Sequence, residues 1–230
     1  MDMSKPVARP QTSAWQLFKD VLNHGGPGYL QFAITNICNA DCGFCGFARS
    51  QFDPKARKSV TLQEAKDVVD IAKRNHIGYL LFVGGEPMAH RDLRAMVRYS
   101  AQQGIHPMIC TNGGLWTDDN MKALASDGLS SVIMSIDAHD VAKHEANRGL
   151  PDVCRKIKKA NEFFHSVGIQ TTASITASPN PAASDTASHD KPFACEASRV
   201  SRRRRVMPSP VAGIARTSVA GRAAAPDSTT

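Results

Sequence analysis

Short apolar runs alternate with segments of helical periodicity from residue 29 to residue 176, and this alternation constrains the fold of the chain more than any other feature. Residues that favour strands recur in five runs, and the predicted strands are Tyr29 to Thr35, Tyr79 to Val83, His106 to Cys110, Ser131 to Ile136 and Gln170 to Thr176. Strands and helices in regular alternation favour right-handed βαβ units and a parallel sheet. The sequence therefore predicts an α/β fold.

Helix signals lie in each interval between these strands. Thr61 and Glu64 have the spacing of a capping box, in which each side chain bonds the backbone N–H of the other residue at the start of a helix. Further helices are predicted from Arg91 to Gln103, from Thr117 to Gly128 and from Pro151 to Val167. Five strands are too few for a closed eight-stranded barrel. An open barrel or a doubly wound sheet remains, and in both folds the functional side chains lie at the carboxyl ends of the strands.

The composition divides the chain into three parts. Residues 1–28 form an N-terminal extension, in which Trp15, Phe18 and Val21 mark a short amphipathic helix that we expect to cover the sheet. Residues 29–177 form the α/β core. Residues 178–230 contain no Leu, one aromatic residue and abundant Ala, Ser, Pro and Arg, and this composition predicts a disordered tail.

More than half of the net charge of +7 belongs to that tail, which carries eight basic and four acidic residues and includes the run Arg202 to Arg205. Such a run can bind nucleic acid or act as a targeting signal, but runs of like charge are more often solvated, so nucleic acid is not the expected partner.

No run of roughly 20 apolar residues is present, so no membrane span is expected. The N-terminus lacks an apolar secretory segment, which predicts a cytoplasmic protein with reduced cysteines.

Three cysteines follow the first predicted strand, in the segment Cys38-Asn-Ala-Asp-Cys42-Gly-Phe-Cys45. Thiolates select soft metals, chiefly zinc and iron–sulfur clusters. A structural zinc site needs four closed ligands, and no fourth Cys or His lies at a matching local spacing. A four-iron cluster held by three cysteines keeps one iron free for another ligand, so this spacing favours [4Fe–4S] over zinc. Cys110 and Cys154 are interpreted as small core residues.

The CxxxCxxC segment, with Phe44 before its last cysteine, resembles the signature of the radical S-adenosylmethionine superfamily. The second strand runs into Gly84-Gly85-Glu86-Pro87, which is similar to the GGEP segment of that superfamily. The third strand leads into Thr111-Asn112-Gly113 and the fourth into Ser135-Ile136-Asp137, as in many family members. The resemblance extends over roughly residues 29–176. It implies a partial (β/α)6 TIM-like open barrel of parallel strands, with about five βα units, followed by the disordered basic tail.

The resemblance also implies an activity. The three cysteines would ligate a [4Fe–4S] cluster whose free iron binds S-adenosyl-L-methionine, and the GGEP segment would accept the methionyl ammonium, although it could also be an ordinary strand-to-helix turn. One electron from a reductant such as flavodoxin or ferredoxin would cleave S-adenosylmethionine to a 5′-deoxyadenosyl radical. This radical would abstract hydrogen from an unknown small-molecule or peptide substrate.

Four residues are candidates for further cofactor contacts, each with a structural alternative. Ser135 and Asp137 would lie near the ribose or the substrate, or would cap a strand end. Asn112 has the same two interpretations. Phe44 would pack near the adenine or over the cluster, or would belong to the core.

The segment after the fourth strand carries two histidines and an arginine. His139 and His144 are interpreted as solvated and receive no role. Arg148 is interpreted as a surface residue ahead of the helix that begins at Pro151, as long charged side chains usually are, although a contact with a carboxylate or with the cofactor is the alternative.

The chain departs from the family after the fifth strand. Family members have about six βα units, and the glycine-and-acid segment expected near the adenine is not matched by residues 173–177. The abrupt change of composition is typical of an out-of-frame reading of GC-rich DNA, so we expect a chain that is truncated or frameshifted after about residue 177. Turnover is then in doubt. The alternative function is that of a non-catalytic truncated fragment, or of an interaction protein that binds partners through its basic tail.

Overall fold

Five parallel strands form the sheet of the computed structural model, which describes residues 3–176. The strands are β1 (Tyr29–Thr35), β2 (Tyr79–Gly84), β3 (His106–Thr111), β4 (Ser131–Ser135) and β5 (Gln170–Ser174). They lie in the order β1-β2-β3-β4-β5, and each is parallel to the next. The predicted α/β fold with an open parallel sheet is confirmed.

Helices connect the strands, as expected for βα units. They are α1 (Ala14–His24), α2 (Leu62–Arg74), α3 (Leu93–Gln102), α4 (Asp118–Ser126), α5 (Val141–Arg148) and α6 (Val153–Ser166), with short 3-10 turns at Pro54–Ala56 and Pro87–Ala89. The predicted capping box precedes α2. The backbone N–H of Thr61 donates to the Glu64 carboxylate at 2.7 Å, and the Glu64 N–H donates to the Thr61 hydroxyl at 3.2 Å.

The core lies between the sheet and the helices that cover one of its faces. Phe82 on β2 is in register with Ile109 on β3, which is in register with Val132 on β4, and all three side chains are completely buried. Burial of one such side chain contributes about 1.5 to 3 kcal/mol. Gln31 and Ala33 alternate with the core residues of β1 and are exposed. The opposite face of the sheet is therefore open at β1, as in a barrel that does not close.

Helix α5 was not predicted, because it lacks the apolar stripe that marks an amphipathic helix. Its first turn is capped by Asp140, whose carboxylate accepts the Lys143 N–H at 2.7 Å, and it ends at Gly149, which adopts the left-handed conformation. The side chains that it buries are those of His144 and Arg148. A helix that buries polar groups in this way cannot be recognised from hydrophobic periodicity.

The N-terminal strap, residues 5–9, crosses the amino ends of the strands. The Val7 N–H donates to the Ser126 carbonyl at 2.7 Å, and the Arg9 guanidinium donates to the Val167 carbonyl at 3.0 Å. Helix α1 follows and places Leu17 against Gly78, just before β2. The helix lies at the end of the sheet opposite to the cysteines. The prediction that Trp15 and Phe18 cover the sheet is wrong: these side chains are 62% and 50% exposed, and the buried residue of α1 is Leu17.

Among the described residues, β5 pairs only with β4, so its other edge is open. No helix in this part of the chain is long and apolar enough to cross a membrane. The predicted disorder of residues 178–230, and the boundary expected near residue 177, lie outside the described residues.

Candidate functional site

The predicted site residues meet at the carboxyl ends of β1 to β4. The cysteine loop, residues 36–49, follows β1 and the GGEP segment follows β2, while Asn112 follows β3 and Asp137 follows β4. Parallel strands end on one edge of a sheet, so four segments that are distant in sequence share one small region.

The cysteine loop is held by short backbone turns. The Cys45 N–H donates to the Cys42 carbonyl at 3.1 Å, and the Arg49 N–H closes the loop by donating to the Ala40 carbonyl at 2.9 Å. Cys42 is buried, whereas Cys38 and Cys45 are partly exposed. Within residues 3–176, no three His, Cys, Asp or Glu side chains are gathered closely enough to enclose a metal ion.

The charges of neighbouring thiolates nevertheless affect the pKa values of Cys38 and Cys42. Burial raises the pKa of Cys42 to about 11, the Arg148 guanidinium opposes this rise, and the Cys38 and Cys45 thiolates add to it. Burial also raises the pKa of Cys38, with Glu86 and Cys45 as further contributors. The thiols are thus near enough for the charge of each to disfavour the next, and without a metal the site favours protonated sulfur. This soft donor set fits an iron–sulfur cluster, whose iron would neutralise the thiolates.

The glycines of the GGEP segment lie directly against the beginning of the cysteine loop. A Cβ atom at Gly84 would be 2.2 Å from the Thr35 carbonyl oxygen, and one at Gly85 would be 2.4 Å from that of Ile37. The Gly85 and Glu86 N–H groups donate to the same two carbonyls, at 2.8 and 2.7 Å. Only glycine permits this approach, so the pair fixes the end of β2 to the first residues of the loop.

Glu86 is completely buried, and its carboxylate is used inside the protein. It accepts the Thr111 hydroxyl at 2.7 Å, the Asn112 N–H at 2.8 Å and the Met88 N–H at 3.0 Å. Burial raises the pKa of this carboxyl group, and the three hydrogen bonds oppose the rise. The Glu86 side chain therefore joins the ends of β2 and β3, and Pro87, the next residue, is also buried.

Asn112 reaches from the end of β3 to the cysteine loop. Its amide nitrogen donates to the Cys38 sulfur at 3.7 Å and to the Asn39 side-chain oxygen at 2.8 Å. Its own oxygen accepts the Gly114 N–H at 2.8 Å, which fixes the orientation of the amide. The side chain of Asn112 thus joins the end of β3 to Cys38, one of the three predicted ligands.

Asp137 and Arg148 form a buried ion pair, and the interpretation of Arg148 as a surface residue is wrong. Both guanidinium contacts to the Asp137 carboxylate measure 2.7 Å, and Arg148 is 6% exposed. The interpretation of His144 as solvated is also wrong, because the side chain is fully buried and its Nδ1 accepts the Asp137 N–H at 3.2 Å. His139 is exposed, as expected. Asp137 follows β4 by two residues and Arg148 ends the next helix, so the pair joins the end of a strand to the helix that follows it.

The remaining candidates lie at the rim of the site. Phe44 is 41% exposed, and its ring centroid is 6.0 Å from the guanidinium carbon of Arg148. Ser135 is half-buried, and burial raises the pKa of Cys110, an effect that the Ser135 side chain opposes. Cys110 and Cys154, predicted as small core residues, are both partly exposed.

A comparison with models of known protein families identifies the family to which this region belongs. The model of the radical SAM superfamily matches residues 32–185, which contain the cysteine loop, the GGEP segment, the second half of β1 and the whole of β2 to β5. The chain belongs to this superfamily. The predicted family is confirmed, and so is the prediction that the chain is related to radical SAM enzymes. Membership of this family also agrees with the predicted cofactors, S-adenosylmethionine and a [4Fe–4S] cluster.

Several curated and solved radical SAM proteins are similar to the chain. The AdoMet-dependent heme synthase of Nitratidesulfovibrio vulgaris is 26% identical over 147 residues, which is 64% of this chain and 40% of that protein. The GTP 3′,8-cyclase of Synechococcus elongatus is 31% identical over 122 residues, which is 53% of this chain and 37% of that protein. The chain therefore spans about two fifths of the length of these relatives.

A crystal structure of Streptococcus suis SuiB bound to S-adenosylmethionine superposes with a TM-score of 0.55 at 23% identity, over 71% of this chain and 37% of SuiB. This likeness supports the fold, which is that of a partial radical SAM barrel.

Proposed function

We propose that the chain carries the cofactor site of a radical SAM enzyme, in which Cys38, Cys42 and Cys45 ligate a [4Fe–4S] cluster and S-adenosylmethionine binds beside it. The observation that supports this most directly is the packing of the cysteine loop against Gly84 and Gly85, which brings the two family segments into contact. When bound, the two cofactors supply one-electron cleavage of S-adenosylmethionine to a 5′-deoxyadenosyl radical that abstracts hydrogen from the substrate.

The residues of the chain would bind and orient these groups. The Glu86 carboxylate already has three donors, so the contact to the methionyl ammonium is assigned to the backbone carbonyls of residues 84–86, with Pro87 ending the segment. Asn112 is assigned to the Cys38 sulfur. Ser135 and Phe44 are assigned to the rim that the nucleoside reaches. Asp137 acts through Arg148, whose positive charge beside Cys42 favours the thiolate.

The substrate class is a small molecule or a peptide. One structure of SuiB contains its precursor peptide SuiA, whereas the curated relatives act in heme synthesis and on GTP, so similarity alone favours neither class. The electron donor in this proposal is a flavodoxin or a ferredoxin. The proposed compartment is the cytoplasm, because a reducing environment keeps the cluster thiols free of disulfides.

Anaerobic reconstitution with ferrous iron and sulfide tests the cofactor site. We expect about four irons and four sulfides for each chain, as a [4Fe–4S] cluster requires. Serine substitution of Cys38, Cys42 or Cys45 should abolish the broad iron–sulfur absorption, while Cys154→Ser, a matched cysteine on α6, should retain it. Addition of S-adenosylmethionine should change the electron paramagnetic resonance spectrum of the reduced cluster. Zinc without sulfide in the wild-type chain would refute the proposal.

Turnover is measured separately, because the chain spans about two fifths of its curated relatives. Release of 5′-deoxyadenosine from the reduced, loaded chain would establish cleavage of S-adenosylmethionine. A loaded cluster that binds S-adenosylmethionine without cleaving it would instead assign the non-catalytic alternative to this chain.

A further inference from the structure

Three large apolar side chains of α1 are exposed and form what we call the α1 face: Trp15, Phe18 and Leu22, which are 62%, 50% and 66% exposed. The Trp15 and Phe18 rings stack with their centroids 5.5 Å apart. The three residues are spaced i, i+3 and i+7, which places them on one side of the helix. Single exposed apolar residues are common on protein surfaces, whereas a contiguous group of this kind is typical of a binding surface.

The α1 face points outward because another side of the helix is already packed against the sheet. Leu17 is buried against Gly78, and a Cβ atom at Gly28 would be 2.9 Å from a methyl group of Val21. A capping box at Ser13 also fixes the first turn of the helix. The helix cannot rotate its exposed residues toward the sheet without losing these contacts. The α1 face is therefore a stable feature of the described part of the chain.

The charged residues of α1 lie on different sides of the helix. The Lys19 ammonium is 5.6 Å from the centroid of the Trp15 ring, so a cation borders the α1 face. Asp20 comes two residues after Phe18, and this spacing turns its side chain about 200° around the helix from Phe18. Within residues 3–176, neither Lys19 nor Asp20 lies in an ion pair. The border of the face is thus positive, as is the net charge of the chain, +7.

The size and the composition of the α1 face favour a lipid surface over a second protein. Its three side chains expose roughly 300 to 400 Å², whereas a stable protein interface needs about 800 Å² from each partner. A bilayer sets no such threshold, because binding strength scales with the apolar area that enters it. Aromatic and leucine side chains bordered by lysine are typical of helices that lie in the membrane interface, where the lysine reaches the headgroups.

We propose that the α1 face binds the surface of a lipid bilayer that contains anionic phospholipids, with α1 lying in the plane of the interface. Trp15, Phe18 and Leu22 enter the boundary between headgroups and acyl chains, and Lys19 contacts the lipid phosphates. The cysteine loop lies at the other end of the sheet. The proposal does not depend on the proposed function, because none of these residues belongs to the candidate cofactor site.

Trp15 itself reports the docking, because the chain has two tryptophans and the other, Trp116, is 5% exposed. The full chain is titrated with vesicles of phosphatidylcholine and phosphatidylglycerol, whose acyl chains are brominated in a second series. We expect Trp15 fluorescence to shift to shorter wavelength on binding and to be quenched by the bromine atoms. Sedimentation of the protein with the vesicles measures the affinity.

Two double variants test whether the α1 face is responsible. Phe18→Gln with Leu22→Gln removes half of the aromatic pair and the leucine but keeps the Trp15 probe, and we expect its affinity for the vesicles to be about tenfold lower. The control is Val141→Gln with Ile175→Gln, which replaces apolar residues that are 56% and 60% exposed beyond the carboxyl ends of β4 and β5. The control should bind as wild type does. All substituted side chains are exposed, so the far-ultraviolet circular dichroism of each variant should match wild type.

Lys19→Gln tests the electrostatic part of the proposal. Its affinity for vesicles with phosphatidylglycerol should be about fivefold lower at low ionic strength, and the difference should disappear at about 0.5 M salt. On vesicles of phosphatidylcholine alone, Lys19→Gln should match wild type. Equal binding of this variant and wild type to anionic vesicles at low ionic strength would remove the anionic lipid from the proposal.

Three outcomes would overturn the proposal as a whole. The first is a wild-type chain whose Trp15 fluorescence is unchanged by vesicles and which does not sediment with them. The second is an affinity that the Phe18 and Leu22 substitutions leave intact and that serine substitution of Arg202 to Arg205 abolishes, because the basic tail would then be the binding element. The third is a wild-type dimer in analytical ultracentrifugation that the same two α1 substitutions dissociate, because a second copy of the chain would then cover the face.

Discussion

A buried Arg–Asp pair lies at each end of the sheet, and the two pairs differ in what surrounds them. At the amino ends of the strands, Arg98 contacts Asp127 at 2.8 Å, and the side chains are 2% and 0% exposed. At the carboxyl ends, Arg148 contacts Asp137 at 2.7 Å, and the side chains are 8% and 2% exposed. The two pairs are almost equally buried, but Arg148 contacts both Asp137 oxygens, whereas Arg98 contacts one oxygen of Asp127.

Their further partners are not equivalent. The Arg98 guanidinium also donates to the Lys5 carbonyl, and Arg94 adds a second cation to Asp127 at 2.8 Å, so this pair holds the N-terminal strap. The Arg148 carbonyl accepts the Asp41 N–H at 2.8 Å, and its guanidinium lies beside Phe44. A buried ion pair is thus weak evidence of function by itself, and the groups it faces distinguish a structural pair from one that supports a site.

The largest effect is expected at the structural pair. Asp127→Ala leaves the buried Arg98 without a counter-charge, and we expect a loss of about 3 to 5 kcal/mol in the free energy of unfolding. Urea denaturation of the full chain measures this loss. Arg155→Ala is the control, because it breaks the exposed pair with Asp152 and should cost less than about 1 kcal/mol. Equal losses in both variants would contradict the burial argument.

A smaller loss of stability is expected at the Arg148–Asp137 pair, and the same variant tests whether this pair supports the cysteine loop. Arg148→Lys cannot bond both Asp137 oxygens at once, and we expect a loss of about 1 to 3 kcal/mol. The cysteine loop should also open more often, so iodoacetamide should alkylate Cys42 faster in the folded chain. Mass spectrometry of the alkylated peptide measures that rate.

Arg98→Lys is the control for this variant. It should destabilise the chain by a comparable amount and leave Cys42 alkylation unchanged under native conditions. Equal acceleration by both variants would show that the Arg148 pair has no special relation to the loop.

The third prediction concerns the contact between the GGEP segment and the loop. Gly85→Ala places a methyl group against the Ile37 carbonyl, and such overpacking costs about 1 to 3 kcal/mol. Gly46→Ala is the control, because a Cβ atom at Gly46 would have no neighbour within 4 Å. Urea denaturation compares the two variants, and a Gly85→Ala chain as stable as Gly46→Ala would disprove the close packing.

The last prediction uses pH and applies only to the carboxyl end of the sheet. Burial raises the pKa of Cys42 from its ordinary value of 9.0 to about 11, so the folded chain keeps a proton that the unfolded chain releases. The stabilisation is present below pH 9.0 and is lost as the pH rises through about 11. Alkylation of Cys42 should therefore rise at higher pH in the folded chain than in urea. Coincident pH profiles would contradict this.

Much of this arrangement could be predicted from local patterns. The five strands follow from apolar runs of strand length, and the cysteine loop follows β1 in both sequence and structure. The capping box at Thr61 is local as well, since its two partners are three residues apart. Patterns within a few residues report the backbone that those residues adopt.

The interactions that the sequence did not reveal are long-range and polar. The Glu86 carboxylate meets Thr111 and Asn112, which are 25 and 26 positions later. Arg148 was misplaced because its partner is on the preceding strand end and its helix has no apolar stripe. No local rule distinguishes a buried charged side chain from a solvated one, because burial depends on which elements pack together.

The N-terminal strap makes some of its contacts only late in the synthesis of the chain. Arg9 bonds the backbone of Val167 and Gly168, so the first residues made depend on partners about 160 positions later. Until those residues leave the ribosome, Arg9 lacks these two partners, although Lys5 and Val7 can already bond Arg98 and Ser126. Completion of β5 and closure of the strap would then be coupled late steps, and slowed translation near residue 168 would lengthen the period in which the nascent chain needs a chaperone.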